Sequence, residues 1–379
     1  MNICLVGVRG DGLLGRPIGG SERQIALLAR NFARRGHDVT LVTFEAGGDN
    51  IRVHGVTLRA AWNPDKGLRW LRAPTYRIPN LRRVLLGIGA DLYYMRGATP
   101  FSWVVAEVGN KLDSPVLMGL ASDRDLDPDA GRVMFSLNGS GLPQRTASYF
   151  AWLAFQRRAL HTADAVIAQN TGQAAICAAM RLPHVLIPSI VEEPPEELLA
   201  QSCTHDAVWV GNVYKDARRS KGLAELSQLA EALPSVRFAV VGVLTAGKVQ
   251  GDLASLRALS NVDLFGRLSY EGGQVEIARS RVVLNTSPAE GFSNVMLEGW
   301  ALGKPALTLT VNPSQLLREG GLGWCADGDL GGMIRMLRAV LEDDARLAAT
   351  GRRARDYVRA VHSADAVCER YEQLAAVVP

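Results

Sequence analysis

The sequence predicts an α/β protein of the doubly wound parallel-sheet type, built as two Rossmann-like domains. Three observations point there. Short apolar runs of strand length, among them Ile3–Val8, Val116–Leu120, Ala207–Gly211 and Val282–Leu284, alternate with helical stretches, the order that yields βαβ units. The runs are continuously apolar, as in strands buried on both faces. The 379 residues exceed one typical domain and suit two of roughly 180, each large enough for its own core.

In chain order, the strand Ile3–Val8 enters a glycine-rich loop, Gly7–Gly20, followed by the helix SERQIALLARNFARRG and a strand Asp38–Phe44. Ser21 with Gln24 reads as a capping box and Gly36 as the C-cap. Within the loop Gly10, Gly12 and Gly15 spell G-x-G-x-x-G, and Glu45 ends the second strand, where a nicotinamide-cofactor protein would hold its ribose. An NAD-dependent dehydrogenase is therefore one alternative. Against it, Arg16, Pro17, Ile18 and Gly19-Gly20 separate the third glycine from the helix, so a pyrophosphate on Gly10–Gly15 would miss the helix dipole.

Lys66–Arg83 holds six basic residues and no acid, interleaved with Trp70, Leu71, Tyr76, Ile78 and Leu81. Such a stretch can lie on an anionic membrane surface, and it can equally be a solvated loop before a helix starting near Asn80. Pro74 and Pro79 break its helical spacing. Strands follow at Asp91–Tyr94 and Val116–Leu120; the second places Asp123 at a strand's carboxyl end. Asp123, Asp125, Asp127 and Asp129 suggest metal, but an EF-hand counted from Asp123 would put Pro128 at the glycine position and Met134 at the last carboxylate, so that reading fails. An amphipathic helix Tyr149–Leu160, a strand and Gly172-opened helix in HTADAVIAQNTGQAAICAAM, and a short strand Leu186–Pro188 close residues 1–188. The proline- and acid-rich Ser189–Asp206 reads as a linker.

The second domain, residues 207–343, opens with the strand Ala207–Gly211 and the loop GNVYKDARRSKG. Its cations, before Gly222 and the helix Leu223–Leu233, suit a diphosphate whose charge grows as it leaves. Further strands are Arg237–Val243 and Val262–Phe265. Arg281–Leu309 reads as strand, loop, helix, strand. Gly291 precedes Ser293 or Asn294, either of which can cap, so the loop offers free N–H groups at a helix N-terminus, a place that binds anions. Glu290 and Glu298 bracket it and can both face the crevice beyond the strand ends, one toward a sugar hydroxyl and one toward a ribose. The helical stretch Asp344–Leu374 belongs to a terminal segment, 344–379, without a motif.

The string PAEGFSNVMLEGWALGKPALTL resembles the signature of glycosyltransferase family 4, retaining enzymes of the GT-B fold. GGSERQIALLARNFARRGHDVTLVT is similar to that family's N-terminal motif, and HTADAVIAQ to its last N-domain strand. The resemblance implies two domains facing across a cleft, with residues 1–188 binding the acceptor, 207–343 the nucleotide sugar, and the terminal helix crossing back. It places Glu290 on the donor sugar, the backbone of Gly291, Phe292, Ser293 and Asn294 on the diphosphate, and Glu298 on the ribose. Gly19 and Gly20 would lie against the diphosphate and acceptor, and Gly266, Arg267 and Leu268 would read the nucleobase. Lys221-Gly222 matches the family's Lys-Gly after Gly211. The family's arginine position holds Asn212, which leaves Lys215, Arg218 or Arg219 as the second cation, Lys215 being the best spaced. The family's acceptor-side histidine is absent, and Asp123 and Asn138 are the candidates in its place.

Hexosyl transfer with retention from a UDP- or GDP-sugar to a saccharide or glycolipid, in cell-surface polysaccharide assembly, is the implied reaction. It needs no cofactor and no essential metal, since Lys215, Lys221 and the helix N-terminus would neutralise the diphosphate. A nucleotide-sugar epimerase and a non-catalytic nucleotide-sugar binder are further alternatives. The net charge of +4 divides unevenly: residues 1–189 carry 22 Lys and Arg against 14 Asp and Glu, the remainder 20 against 24. The first half is thus the one to meet an anionic partner, and it carries no nucleic-acid motif. No apolar run reaches membrane-span length and MNICLVGVRG enters a strand directly, so a cytoplasmic protein is expected, with the inner membrane face as a station if 66–83 touches lipid. Five scattered cysteines suggest neither zinc nor disulfides.

Overall fold

The computed structural model describes residues 1–15, 19–44, 50–63, 66–67, 72–126, 153–211, 221–242 and 250–378. They form two compact units, Met1–Ile190 with Ala364–Pro379, and Val191–Ser363.

The first unit holds an eight-stranded sheet: β1 Asn2–Gly7, β2 Asp38–Thr43, β3 Ile51–Val53, β4 Val56–Ala60, β5 Leu92–Arg96, β6 Val116–Gly119, β7 Ala165–Ala168 and β8 His184–Leu186, in the order β3-β4-β2-β1-β5-β6-β7-β8. Every pair is parallel except β3 with β4, a hairpin turning through His54 and Gly55 at φ 48° and 80°. Ile3 and Leu5 bury against Phe32, Leu92 and Tyr94, whereas Cys4 and Val6 bury against Tyr93, Met95 and Val105 on the opposite face. Burial on both faces is the reason these strands read as unbroken apolar runs.

Helix Gly20–Arg34 covers the first face together with the chain's last helix, Ala364–Val377, which contributes Val367, Cys368 and Tyr371. The expected Ser21–Gln24 capping box is not formed. Gly19 is the N-cap, without a side-chain bond, because the buried Gln24 amide is taken by the backbone of Ile190, donating to its O at 2.9 Å and accepting from its N at 2.8 Å. Similarly, Asn170 rather than Gly172 opens the helix Thr171–Ala179, its Oδ1 accepting from Gln173 N at 2.8 Å. In the basic segment, a π-helical turn Ala73–Arg77 leads into the helix Ile78–Ile88. Pro74 and Pro79 sit in first turns, where a missing N–H costs nothing. Leu81 is buried, the Arg77 guanidinium lies 5.6 Å from the Trp62 ring centroid, and Arg82 pairs with Glu107.

The second unit holds β9 His205–Val210, β10 Phe238–Val241, β11 Val262–Gly266, β12 Ser280–Asn285, β13 Ala306–Thr308 and β14 Gly323–Cys325, all parallel, in the order β11-β10-β9-β12-β13-β14. Two boundaries differ from expectation. The segment read as a linker contains a helical turn, Glu196–Leu199, and β9 begins at His205 because the imidazole finds Asp263 Oδ2 at 2.8 Å. The terminal stretch is two helices, not one: Asp344–Val361 packs in the second unit, and only Ala364–Val377 joins the first. Asp343 starts the former by accepting from Arg346 N at 2.8 Å.

Candidate active site

Three strands of the second unit end on glycine at the carboxyl edge of the sheet, and backbone proximity demands it. Gly211 follows β9, Gly242 follows β10 and Gly266 ends β11, joined by bonds from Gly211 N to Val241 O at 2.9 Å and from Gly242 N to Gly266 O at 2.8 Å. A Cβ on Gly242, at φ 144°, would stand 1.7 Å from Gly211 O, and one on Gly211 would meet the Trp209 ring at 2.6 Å. The result is a side-chain-free ledge beside the end of β12. Gly242 escaped the sequence reading, being one glycine among 38.

Lys221 and Glu290, 69 residues apart in sequence, meet beside that ledge. Gly222 is the pivot. Its φ of 64° is left-handed, and a Cβ there would lie 1.9 Å from Thr286 O, so only glycine lets the Lys221 loop press against the end of β12. Thr286 fixes this join, donating from Oγ1 to Lys221 O at 2.9 Å while accepting from the Trp209 indole N–H at 3.0 Å. Lys221 Nζ then reaches Glu290 Oε1 at 2.5 Å, and Ser287 Oγ donates to the same oxygen at 2.6 Å. Glu290 is held by a cation and a hydroxyl, with its side chain only 16% exposed against 34% for Lys221. The sequence placed both residues here, but as separate contacts; their direct pairing and the role of Ser287 were not foreseen.

From Glu290 the loop passes through buried Gly291 and Phe292 to Ser293, which caps the helix Asn294–Ala301 by accepting from Met296 N at 3.5 Å. Phe292 anchors the loop edge-on to Trp300 and to His362, at 6.2 and 5.2 Å between centroids. Gly299 lets the helix touch the sheet, since a Cβ would stand 2.4 Å from Val283 Cγ2. Glu298, in the second turn, has its Oε2 held by Gln274 Nε2 at 2.9 Å. Gln274 lies 24 residues away on the helix Tyr270–Ala278, with no local signal to announce it.

The first unit supplies the other expected residues. Gly19 and Gly20 are exposed at the N-terminus of their helix, and Gly15 at φ 68° ends a turn five residues before it, so the third glycine of G-x-G-x-x-G does not open the helix. Asp123 begins a 3₁₀ turn after β6 and accepts from Gln173 Nε2 at 2.9 Å. The neighbouring Asp125 is half-buried, accepting from the backbone of Ala121, Ser122 and Ala98, and desolvation pushes its carboxyl up. Arg267 and Leu268 follow β11. Glu45, Asn138, Asn212, Lys215, Arg218 and Arg219 lie outside the described residues. Among the described residues no cluster of three potential metal ligands occurs, and no helix is long and apolar enough to cross a membrane.

Comparison with known proteins gives these features a context. Residues 19–189 match the model of the glycosyl transferase 4-like domain, and residues 204–343 that of the glycosyl transferases group 1. The chain is 27% identical over 165 residues to a lipopolysaccharide core biosynthesis glycosyltransferase, LpsE, of Rhizobium meliloti; the match spans 42% of this chain and 47% of that relative. Among solved structures it is similar to a sucrose-phosphate synthase from Thermosynechococcus elongatus, with TM-score 0.74, 19% identity and coverage of 99% and 98% of the two chains. It is likewise similar to WaaG, a glycosyltransferase involved in lipopolysaccharide biosynthesis, with TM-score 0.69, 18% identity and 99% of each chain covered.

Proposed function

Since this chain belongs to the glycosyltransferases of GT-B fold, we propose that it moves a hexosyl unit, with retention, from a UDP- or GDP-sugar to a saccharide or glycolipid acceptor in cell-surface polysaccharide assembly, as a member of family 4. The observation that carries this reading is the Lys221–Glu290–Ser287 constellation on a glycine ledge, beside a helix N-terminus capped by Ser293.

The proposed chemistry follows from those groups. The α- and β-phosphates lie on the N–H groups of Gly291–Asn294, where the helix dipole favours negative charge. Lys221 neutralises charge as the glycosidic bond breaks and the diphosphate leaves. Glu290, turned from Lys221 to the sugar, orients hydroxyls, and Glu298, kept in place by Gln274, takes the ribose. The bare edge at Gly211, Gly242 and Gly266 leaves room for a flat base. Charge compensation by Lys221 and the helix, with Lys215 six positions earlier in the sequence, makes an essential metal unnecessary. Gly19 and Gly20 with Asp123 or Asn138 form the acceptor side, and the basic stretch 66–83 is an anionic-membrane contact. The relatives named for lipopolysaccharide work support a glycolipid or core-saccharide acceptor.

A thermal-shift panel of UDP, GDP, ADP, their sugars and NAD, run on the wild type and Glu298→Ala, tests the reading. Ligand at about 100 times its dissociation constant adds about 2.7 kcal/mol of stability. One nucleoside diphosphate should stabilise the wild type and lose most of that shift in the variant, and NMR of the product should show the donor's anomeric configuration. A shift with NAD alone would overturn the proposal.

A further inference from the structure

We propose that the second unit carries a further binding site, for a phosphate group, in the pocket at the edge strand β14. The pocket has a volume of about 400 Å³, and its walls include Arg318, Gly321, Trp324, Met336, Arg346 and Arg353. Lys221, Glu290 and Glu298 do not border it. In the sheet order β14 stands two strands from β12, roughly 10 Å at the usual strand spacing.

Three arginines line this pocket although the second half of the chain has more acidic than basic residues. Each is held in its own way. Arg346 lies over the Trp324 ring, 5.6 Å from its centroid. Arg353 donates from Nε to Gly321 O at 3.2 Å and from Nη2 to Thr350 Oγ1 at 3.1 Å, both neutral acceptors. Arg318 pairs with Asp327. In these contacts one carboxylate faces three cations, which leaves two positive charges in excess. A phosphate monoester carries nearly two negative charges at neutral pH, and the guanidinium fork matches its oxygens two at a time. Stacking on Trp324 and the bonds to Gly321 and Thr350 orient two forks in advance, so less side-chain freedom is lost when the anion arrives. Gly321, at φ 62°, lies beside the Arg353 guanidinium, and Gly323, where a Cβ would stand 2.2 Å from Ala306 O, brings this wall close against β13. The phosphate is either free or borne by a phosphorylated saccharide.

Calorimetric titration of the full chain with inorganic phosphate and with glucose 6-phosphate distinguishes these sources. Both probes should bind wild type and Lys221→Met alike, within about threefold, since the donor residues are not involved. The pair Arg346→Gln/Arg353→Gln should weaken binding at least tenfold. Met336→Glu keeps all three arginines and adds a negative charge to the wall. It should weaken binding similarly, and it serves if the arginine pair fails to fold. Tenfold tighter binding of glucose 6-phosphate assigns the site to a phosphosaccharide, and equal affinity assigns it to free phosphate. The proposal is overturned if neither probe binds, or if binding survives the arginine and Met336 changes and is lost in Lys221→Met.

Discussion

The loop after β1 and the loop after β12 both deliver a helix N-terminus to the carboxyl edge of a parallel sheet, one at Gly20 and the other at Asn294. The first is capped by the backbone of Gly19 alone, and Gly15, Gly19 and Gly20 are exposed, with Leu13 the buried anchor. The second is capped by the Ser293 hydroxyl, and in it Thr286, Ser287, Gly291 and Phe292 are all buried, with the Lys221–Glu290 pair fixed on its near side. The same local fold thus presents two different surfaces. A bare loop lets a ligand come close wherever it fits, whereas a loop with fixed charges dictates where each ligand charge must go.

Glycine substitution should separate the two loops most sharply. Gly222→Ala forces a Cβ into Thr286 O and should cost roughly 3 kcal/mol or more. Gly15→Ala, also left-handed but with open space around it, should cost about 1 kcal/mol. Thermal unfolding of both variants checks this, and equal melting points would erase the distinction between a braced loop and a free one. Next in size, Glu290→Gln keeps the shape and removes the charge facing Lys221, and should lower kcat about 10²–10³-fold with a small change in Tm. In the first turn of the helix Gly20–Arg34, Glu22→Gln should leave kcat within about threefold.

The first unit depends on charge elsewhere, where its last helix docks. Arg35 donates to both Glu372 oxygens, at 2.8 and 2.7 Å, and His37 approaches at 2.8 Å. The hydrogen bond from Arg35 is the main cause that holds the Glu372 carboxyl down at about 2, against partial burial, with His37 assisting. Because the folded value lies below the unfolded one, this stabilisation is fully present above the ordinary carboxylate value of 4.5 and is lost as pH falls toward 2. Glu372→Gln should therefore cost roughly 1–2 kcal/mol at neutral pH, and the gap to wild type should close on acidification, as followed by urea unfolding. Smallest, Ser293→Ala removes a side-chain cap and should cost about 1 kcal/mol, while Gly19→Ala, where no side chain caps and only the flexible Glu22 end is crowded, should cost a few tenths in circular dichroism melts.

Sequence patterns exposed the parts of this molecule that are made locally. The parallel strands show as apolar runs because both faces are covered, and Glu290, Ser293 and Glu298 show because charge, cap and helix register are encoded within nine residues. Ser287, three residues before Glu290, was within reach of the same reasoning. Gln274 was not, since its amide meets Glu298 only after two helices have packed, nor was the start of β9, where His205 is satisfied by Asp263 at a separation of 58 residues. The hairpin β3–β4 was missed because a three-residue strand carries too little pattern to register.

Val191 N donates to His362 O at 2.9 Å, and Glu193 binds Arg359 through the same pair of segments, with Arg355 3.2 Å from its Oε1. The first and last residues of the second unit are therefore neighbours. In the language of gene architecture, residues 191–363 are an insertion whose ends meet, and such a piece can be cut out or grafted without reaching across its fold. Expressed alone, this fragment should melt cooperatively and retain the nucleotide-induced shift, while a version ending at Tyr357, stripped of His362 and the Arg359 clasp, should lose several degrees of Tm.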